Sequence, residues 1–135
     1  MDQTEKNTNA RQLYNWDNKT ILVVEDVDTS NRYFEAALKR TNARVLWAEN
    51  GAEAIEAVKK NPEIDVVLMD IHMPVMNGFE ATREIKKIRK DLTIIVQTAY
   101  VLSGEREKSF EAGCDAFITK PINFRILLSS IDKYI

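Results

Sequence analysis

The sequence predicts an α/β fold: a doubly wound, five-stranded parallel sheet carrying five helices. Two observations lead there. From Thr20 onward, short apolar runs rich in β-branched or aromatic residues alternate five times with amphipathic stretches. Each run and the stretch after it fit one strand–helix unit, and such units stack into a parallel sheet with helices on both faces. Right-handed crossovers then wind the sheet in both directions.

The apolar runs are Ile21–Val24, Val45–Trp47, Val66–Met69, Ile94–Val96 and Ala116–Ile118. The first, third and fourth are solidly apolar, as strands covered on both faces are. The second and fifth are more mixed, which suits sheet edges. In the stretches between, Phe34, Ala37 and Leu38 share a helical face. So do Ala54, Ile55 and Val58, and so do Phe79, Thr82, Ile85 and Ile88. Phe110 and the residues before Gly113 suggest the fourth helix, and Phe124, Leu127, Leu128 and Ile131 form the stripe of the fifth. Asp28 or Thr29, Asn50, Asn77 and Ser103 are placed to cap helix starts, and Gly113 sits where a C-cap glycine would.

Residues 1–19 are polar and aperiodic and read as a tail or linker, with a short helix expected around Leu13–Trp16; one domain is expected over 20–135. The totals exclude several classes of function. A net charge of −2 lacks the basic excess of a nucleic-acid reader. The basic run Arg83–Lys90 fits the wet face of the third helix. No apolar run approaches the roughly 18 residues of a membrane helix, and the N-terminus has no signal-peptide core. A single cysteine, Cys114, forbids an internal disulfide and suits a reducing compartment such as the cytoplasm. The single histidine, His72, excludes a multi-histidine metal site.

The informative positions are those just after each strand, because sites in such folds lie at the carboxyl ends of the strands. Glu25 and Asp26 come after the first strand, with Asp28 close by. Asp70 comes after the third, Thr98 after the fourth, and Lys120-Pro121 after the fifth. Alone, each has a plain reading: a helix cap for Asp28, solvated loop acids for Glu25 and Asp26, an ordinary turn for Lys120-Pro121. Their convergence on one sheet edge weakens those readings. Carboxylates about 5 Å apart repel by about 3 kcal/mol at an effective dielectric near 20. The cluster therefore calls for a cation or for raised pKa values. Lys120 can neutralise part of the charge, and a hard ion such as Mg²⁺, with its preference for oxygen ligands, suits the remainder. An aspartate can also act as a nucleophile, forming an acyl phosphate, with Thr98 and Lys120 placed to bind phosphoryl oxygens.

The stretches ILVVEDVDTSN, VVLMDIHMPVMNGFEATREIK, IIVQTAYVLSGEREKSFEAG and CDAFITKPI together resemble the receiver domains of two-component response regulators, over about Lys19 to Ile135. In detail they look most like receivers of hybrid histidine kinases or of stand-alone regulators. The resemblance implies a flavodoxin-like strand order 2-1-3-4-5. It implies that Asp70 is the phosphoacceptor, that Asp26 and Asp70 ligate Mg²⁺ with the backbone carbonyl of His72, and that Glu25 acts through water. It makes Thr98 the switch hydroxyl, Phe117 the switch aromatic, Lys120 the site lysine with a cis bond to Pro121, and Gly78 the glycine opening the third helix. His72 and Tyr100 match the positions that flank the attacking water in this family, and both are bulky, so slow phosphoryl loss is expected, the alternative being that both point to solvent and change little.

The resemblance further implies a phosphoprotein switch and not a turnover enzyme. A histidine kinase or a histidine phosphotransfer protein would be its donor, and helix four, strand five and helix five would form the responding surface. That surface could also form a homodimer. No output domain is expected, nor nucleic-acid binding, nor membrane insertion. A rival is the phosphatase class with an Asp-x-Asp-x-Thr motif, which Asp26-Val27-Asp28-Thr29-Ser30 approaches. Ser30 fits it poorly, its later acidic motif is missing, and it would make Asp26 the nucleophile. A second rival is a degenerate receiver that only binds proteins.

Overall fold

The computed structural model describes residues 14–73, 76–99 and 104–135. Five strands, β1 (Thr20–Val24), β2 (Arg44–Ala48), β3 (Val66–Asp70), β4 (Thr93–Thr98) and β5 (Ala116–Thr119), alternate with five helices. These are α1 (Asp28–Lys39), α2 (Gly51–Lys60), α3 (Gly78–Ile88), α4 (Glu105–Ala112) and α5 (Phe124–Asp132). The strands form one parallel sheet in the order β2-β1-β3-β4-β5. The two mixed runs are its edges, and the three apolar runs are its interior.

Alternation along each strand divides the core into two layers. Leu22, Val24, Val67, Met69, Ile94 and Val96 pack with Ala54 and Val58 of α2 and with Ala81 and Ile85 of α3. Ile21, Val23, Val66, Leu68, Ile95 and Ile118 pack with Phe34, Ala37 and Leu38 of α1 and with Leu127 and Ile131 of α5. Burying an aliphatic side chain of this kind contributes about 1.5–3 kcal/mol. The two layers therefore supply the apolar burial that offsets the entropy of ordering the chain.

Asn50 and Asn77 cap α2 and α3, each accepting from the backbone N–H of the glutamate three residues on, Glu53 at 2.9 Å and Glu80 at 3.0 Å. At α1 the cap position is Val27 and no side chain caps it; Asp28 is instead the first helical residue, where its charge complements the helix dipole. Ser103 lies outside the described residues. Gly104, in the left-handed region at φ 85°, precedes α4, and Gly113 at φ 112° ends it. Ile88, expected on the shared face of its helix, and Phe110 are each 41% exposed. Ile88 is the last residue of α3. The Arg106 guanidinium, 5.3 Å from the ring, covers part of Phe110.

The expected short helix near Leu13–Trp16 is not formed by Tyr14–Trp16, and Leu13 lies outside the described residues. Instead, Trp16 is buried in the α1/α5 layer, and its backbone N–H donates to the Thr41 carbonyl at 2.6 Å. An indole gains more by covering that layer than by staying in water. Among the described residues, no helix is long and apolar enough to cross a membrane.

Candidate functional site

The parallel register brings the strand-end residues to one edge. Asp70, the last residue of β3, pairs with Gln97, and Thr98 pairs with Thr119, directly before Lys120. Glu25 continues β1, its N–H donating to the Ala48 carbonyl at 3.0 Å. Carboxylate oxygens of Glu25, Asp26 and Asp70 all lie within 4.8 Å of one another. Glu25 and Asp70 are buried and Asp26 is exposed. Two acids therefore form the floor, and a third stands at the mouth.

The charge is only partly compensated. Lys120 Nζ sits 2.9 Å from Glu25 Oε1 and 3.9 Å from Asp70 Oδ2, so the lysine pairs first with Glu25. The backbone N–H of Lys120 donates to the Thr98 carbonyl at 2.7 Å, which fixes where the lysine leaves the sheet edge, and the Lys120–Pro121 bond is cis. Asp70 Oδ1 accepts from the His72 N–H at 3.2 Å. Burial pushes the Asp70 carboxyl up to about 7. A hydrogen bond with Glu25 and the charge of Glu25 push the same way, against Lys120 and the His72 N–H. Glu25 Oε2 is buried and, among the described residues, meets no N–H donor, so only a protonated Asp70 could bond it. The donor set consists entirely of hard oxygens, carries excess negative charge and has one orphaned carboxylate oxygen. It therefore fits a small divalent cation of the Mg²⁺ type.

The backbone of the β3–α3 loop is held close under the site. The Gly78 N–H donates to the Ile71 carbonyl at 3.0 Å. A Cβ at Gly78 would collide with the Asp70 carbonyl oxygen and stand 2.8 Å from the Ile71 Cα. Only a glycine lets α3 start this near Asp70. Thr98 is fully buried behind the site. Phe117, partly buried, packs against the α2/α3 layer, with the Arg106 guanidinium 5.9 Å from its ring.

This edge, with its acids on β1 and β3, its hydroxyl on β4 and its lysine after β5, can be set against known proteins. The response regulator receiver domain family matches residues 21–132. The chain belongs to that family. As a receiver it is 28% identical over 119 residues to the polar-differentiation response regulator DivK of Brucella anthropi, covering 87% of this chain and 96% of DivK. It is also 36% identical over 121 residues to hybrid signal transduction histidine kinase M of Dictyostelium discoideum, covering 85% of this chain but 5% of that kinase. Among solved structures, the receiver domain of a sensor histidine kinase from Pseudomonas aeruginosa superposes with a TM-score of 0.80 at 31% identity, covering 86% of this chain and 96% of that one. That structure holds a magnesium ion coordinated in its active-site cleft. A CheY-like receiver from Methanospirillum hungatei superposes with a TM-score of 0.80 at 30% identity, covering 85% and 91%. Receivers are the phosphoryl-accepting domains of two-component systems, and this receiver has their five-stranded fold.

Two neighbours of the site carry no signal in the sequence. Gln97, 2% exposed, has neither side-chain amide atom hydrogen-bonded among the described residues. Glu105, 7% exposed, places Oε1 3.0 Å from His72 Nε2. An acid in the first turn of a helix reads as a dipole-complementing charge, so nothing in the sequence around Glu105 points to a distant histidine. Tyr100 lies outside the described residues.

Proposed function

We propose that this receiver takes up one phosphoryl group on Asp70 and that Glu25, Asp26 and the His72 backbone carbonyl help hold Mg²⁺ beside it. The meeting of three carboxylates within 4.8 Å, with Lys120 only 2.9 Å from Glu25, carries this reading. Asp70 is the buried acid that faces both Lys120 and the His72 N–H, whereas Asp26 is exposed, which favours Asp70 over Asp26 as nucleophile. Bound Mg²⁺ would neutralise charge on the transferring phosphoryl group. Lys120 and Thr98 would bind its oxygens. Phe117, in register with Val96 two residues before Thr98 on β4, would turn inward as Thr98 moves, altering the surface of α4, β5 and α5. A partner, or a second copy of the chain, would read that surface.

The donor would be a histidine kinase or a histidine phosphotransfer protein, in keeping with the hybrid kinases among the relatives. The chain would return its phosphoryl group to water slowly, with His72 tuning the rate, and would not turn over external substrates. The domain would run over 20–135, with residues 1–19 a tail or linker secured at Trp16, and would work in the cytoplasm.

Incubation with acetyl phosphate and Mg²⁺, followed by intact-mass measurement, tests the assignment. One acid-stable, base-labile phosphoryl group is expected, absent with a chelator and absent in Asp70→Asn. Retention of the modification in Asp70→Asn would overturn it, and loss in Asp26→Asn alone would favour the phosphatase chemistry.

A further inference from the structure

A buried glutamate on α4 reaches back to the loop beyond Asp70. Glu105 is the first residue of α4, 7% exposed, and its Oε1 lies 3.0 Å from His72 Nε2. Among the described residues its Oε2 is also buried without a hydrogen-bond partner, and His72 is the cation or N–H donor that Glu105 faces there. A carboxylate buried this far persists only with such a partner. The first turn of α4 also fixes the glutamate from behind, since Ser109 Oγ donates to the Glu105 carbonyl at 2.9 Å. The other partner is tied to the reacting group, because the His72 N–H donates to Asp70 Oδ1.

Topology says where the pair lies. β3 and β4 are neighbours, with Asp70 in register with Gln97. His72 leaves the end of β3, and Glu105 opens the helix after β4. A 3.0 Å contact between them therefore bridges the carboxyl ends of these strands, beside Asp70 and Thr98. The His72 backbone is bonded to Asp70 Oδ1 and its imidazole is held by Glu105, so the ring is anchored within two residues of the Asp70 carboxylate.

We infer that Glu105 is a positioning residue that pins the His72 imidazole across the approach to Asp70 and thereby lengthens the life of its phosphoryl group. This rests on the assignment of Asp70 as phosphoacceptor. In the step it slows, a water oxygen attacks phosphorus, the bond from phosphorus to the Asp70 carboxyl oxygen breaks, the water proton passes to solvent, and the Asp70 carboxylate and inorganic phosphate are left. The pin acts by occupying the side from which that water comes, with no part in the proton transfer. The same contact ties α4, part of the responding surface, to the residue two places after Asp70.

The test phosphorylates the protein with acetyl phosphate and Mg²⁺, removes the donor and tracks decay by intact mass. Glu105→Ala is expected to lose its phosphoryl group about fivefold faster than wild type. Glu105→Gln, whose carbonyl oxygen can still accept from Nε2–H, is expected to stay near the wild-type rate. His72→Ala should decay as fast as Glu105→Ala, and the double variant no faster than His72→Ala. Equal lifetimes in Glu105→Ala and wild type would overturn the inference. So would an equal acceleration by Glu105→Ala with and without His72, which marks a general structural effect. The ¹⁵N signal of His72 Nε2, read in the unphosphorylated protein without metal, judges the pin separately. It should shift in Glu105→Ala, and an unmoved signal would overturn the contact. Failure of wild type to take up any phosphoryl group, with the shift present, would instead overturn the Asp70 assignment and the lifetime role together.

Discussion

Lys120 Nζ lies a full ångström nearer Glu25 Oε1 than Asp70 Oδ2, at 2.9 Å against 3.9 Å. The lysine therefore neutralises the fully buried acid first and leaves Asp70 under-compensated. Burial and the neighbouring Glu25 raise the Asp70 pKa, and a lysine held mainly by Glu25 cancels only part of that rise.

Lys120→Met removes the counter-charge of a carboxylate whose side chain is fully buried. Breaking such a pair from one side typically costs 3–5 kcal/mol, and the part-exposed lysine end lowers the expectation here to about 2–4 kcal/mol. Urea unfolding without metal should show that loss. Added Mg²⁺ should recover much of it by supplying charge to the same acids. A variant as stable as wild type without metal would contradict the pairing.

The Asp70 carboxyl titrates near its ordinary value of 3.8 when unfolded and near 7 when folded. Between those values the folded state holds a proton that the unfolded state releases, so the contribution of Asp70 to stability falls as pH rises through this window. Metal-free wild type should accordingly lose stability relative to Asp70→Asn between about pH 4 and 7. Saturating Mg²⁺, which favours the ionised cluster, should flatten that difference. A wild-type advantage that grows with pH in the absence of metal would show that Asp70 is not raised.

Gly78→Ala places a Cβ against the Asp70 carbonyl oxygen and 2.8 Å from the Ile71 Cα. Both obstacles are backbone, so the start of α3 must move. A loss of about 1–3 kcal/mol is expected in thermal or urea unfolding. Phosphoryl uptake from acetyl phosphate should fall as well, because the displaced helix start packs directly on the Asp70 and Ile71 backbone. Normal stability with normal uptake would show that the loop yields without cost.

Trp16 lies before the 21–132 segment that matches the family, yet it is 4% exposed. Trp16→Ala should destabilise the domain by about 3–5 kcal/mol, as large aromatic truncations in a core do. Chemical denaturation monitored by circular dichroism reads this directly. An effect below about 1 kcal/mol would mean that the indole only rests on the surface.

Much of the architecture is legible in the sequence because its causes are local or periodic. Runs such as Ile21–Val24 and Val66–Met69 are apolar at every position, which suits only strands covered on both faces. Asn50 and Asn77 announce their helices through glutamates three residues on. The acids, hydroxyl and lysine of the site are legible for a related reason: each stands at or just past a strand end, and a parallel sheet must carry all strand ends to one edge. Ile88 departs from the periodic reading because a helical stripe gives the direction of a face but not where its covering stops. Trp16 escapes it because an isolated aromatic in a polar segment has no period to reveal it.

By itself the sequence determined the order of elements, the two-sided core and the set of residues at the carboxyl edge, since these depend on spacing and polarity along the chain. Only the tertiary structure decided how those residues pair. That Lys120 takes Glu25 before Asp70, that Gly78 is pressed onto the Asp70 backbone and that Glu105 reaches His72 all depend on distances between segments set apart in the chain. Electrostatic energy depends on separation and burial, and neither is written in sequence order.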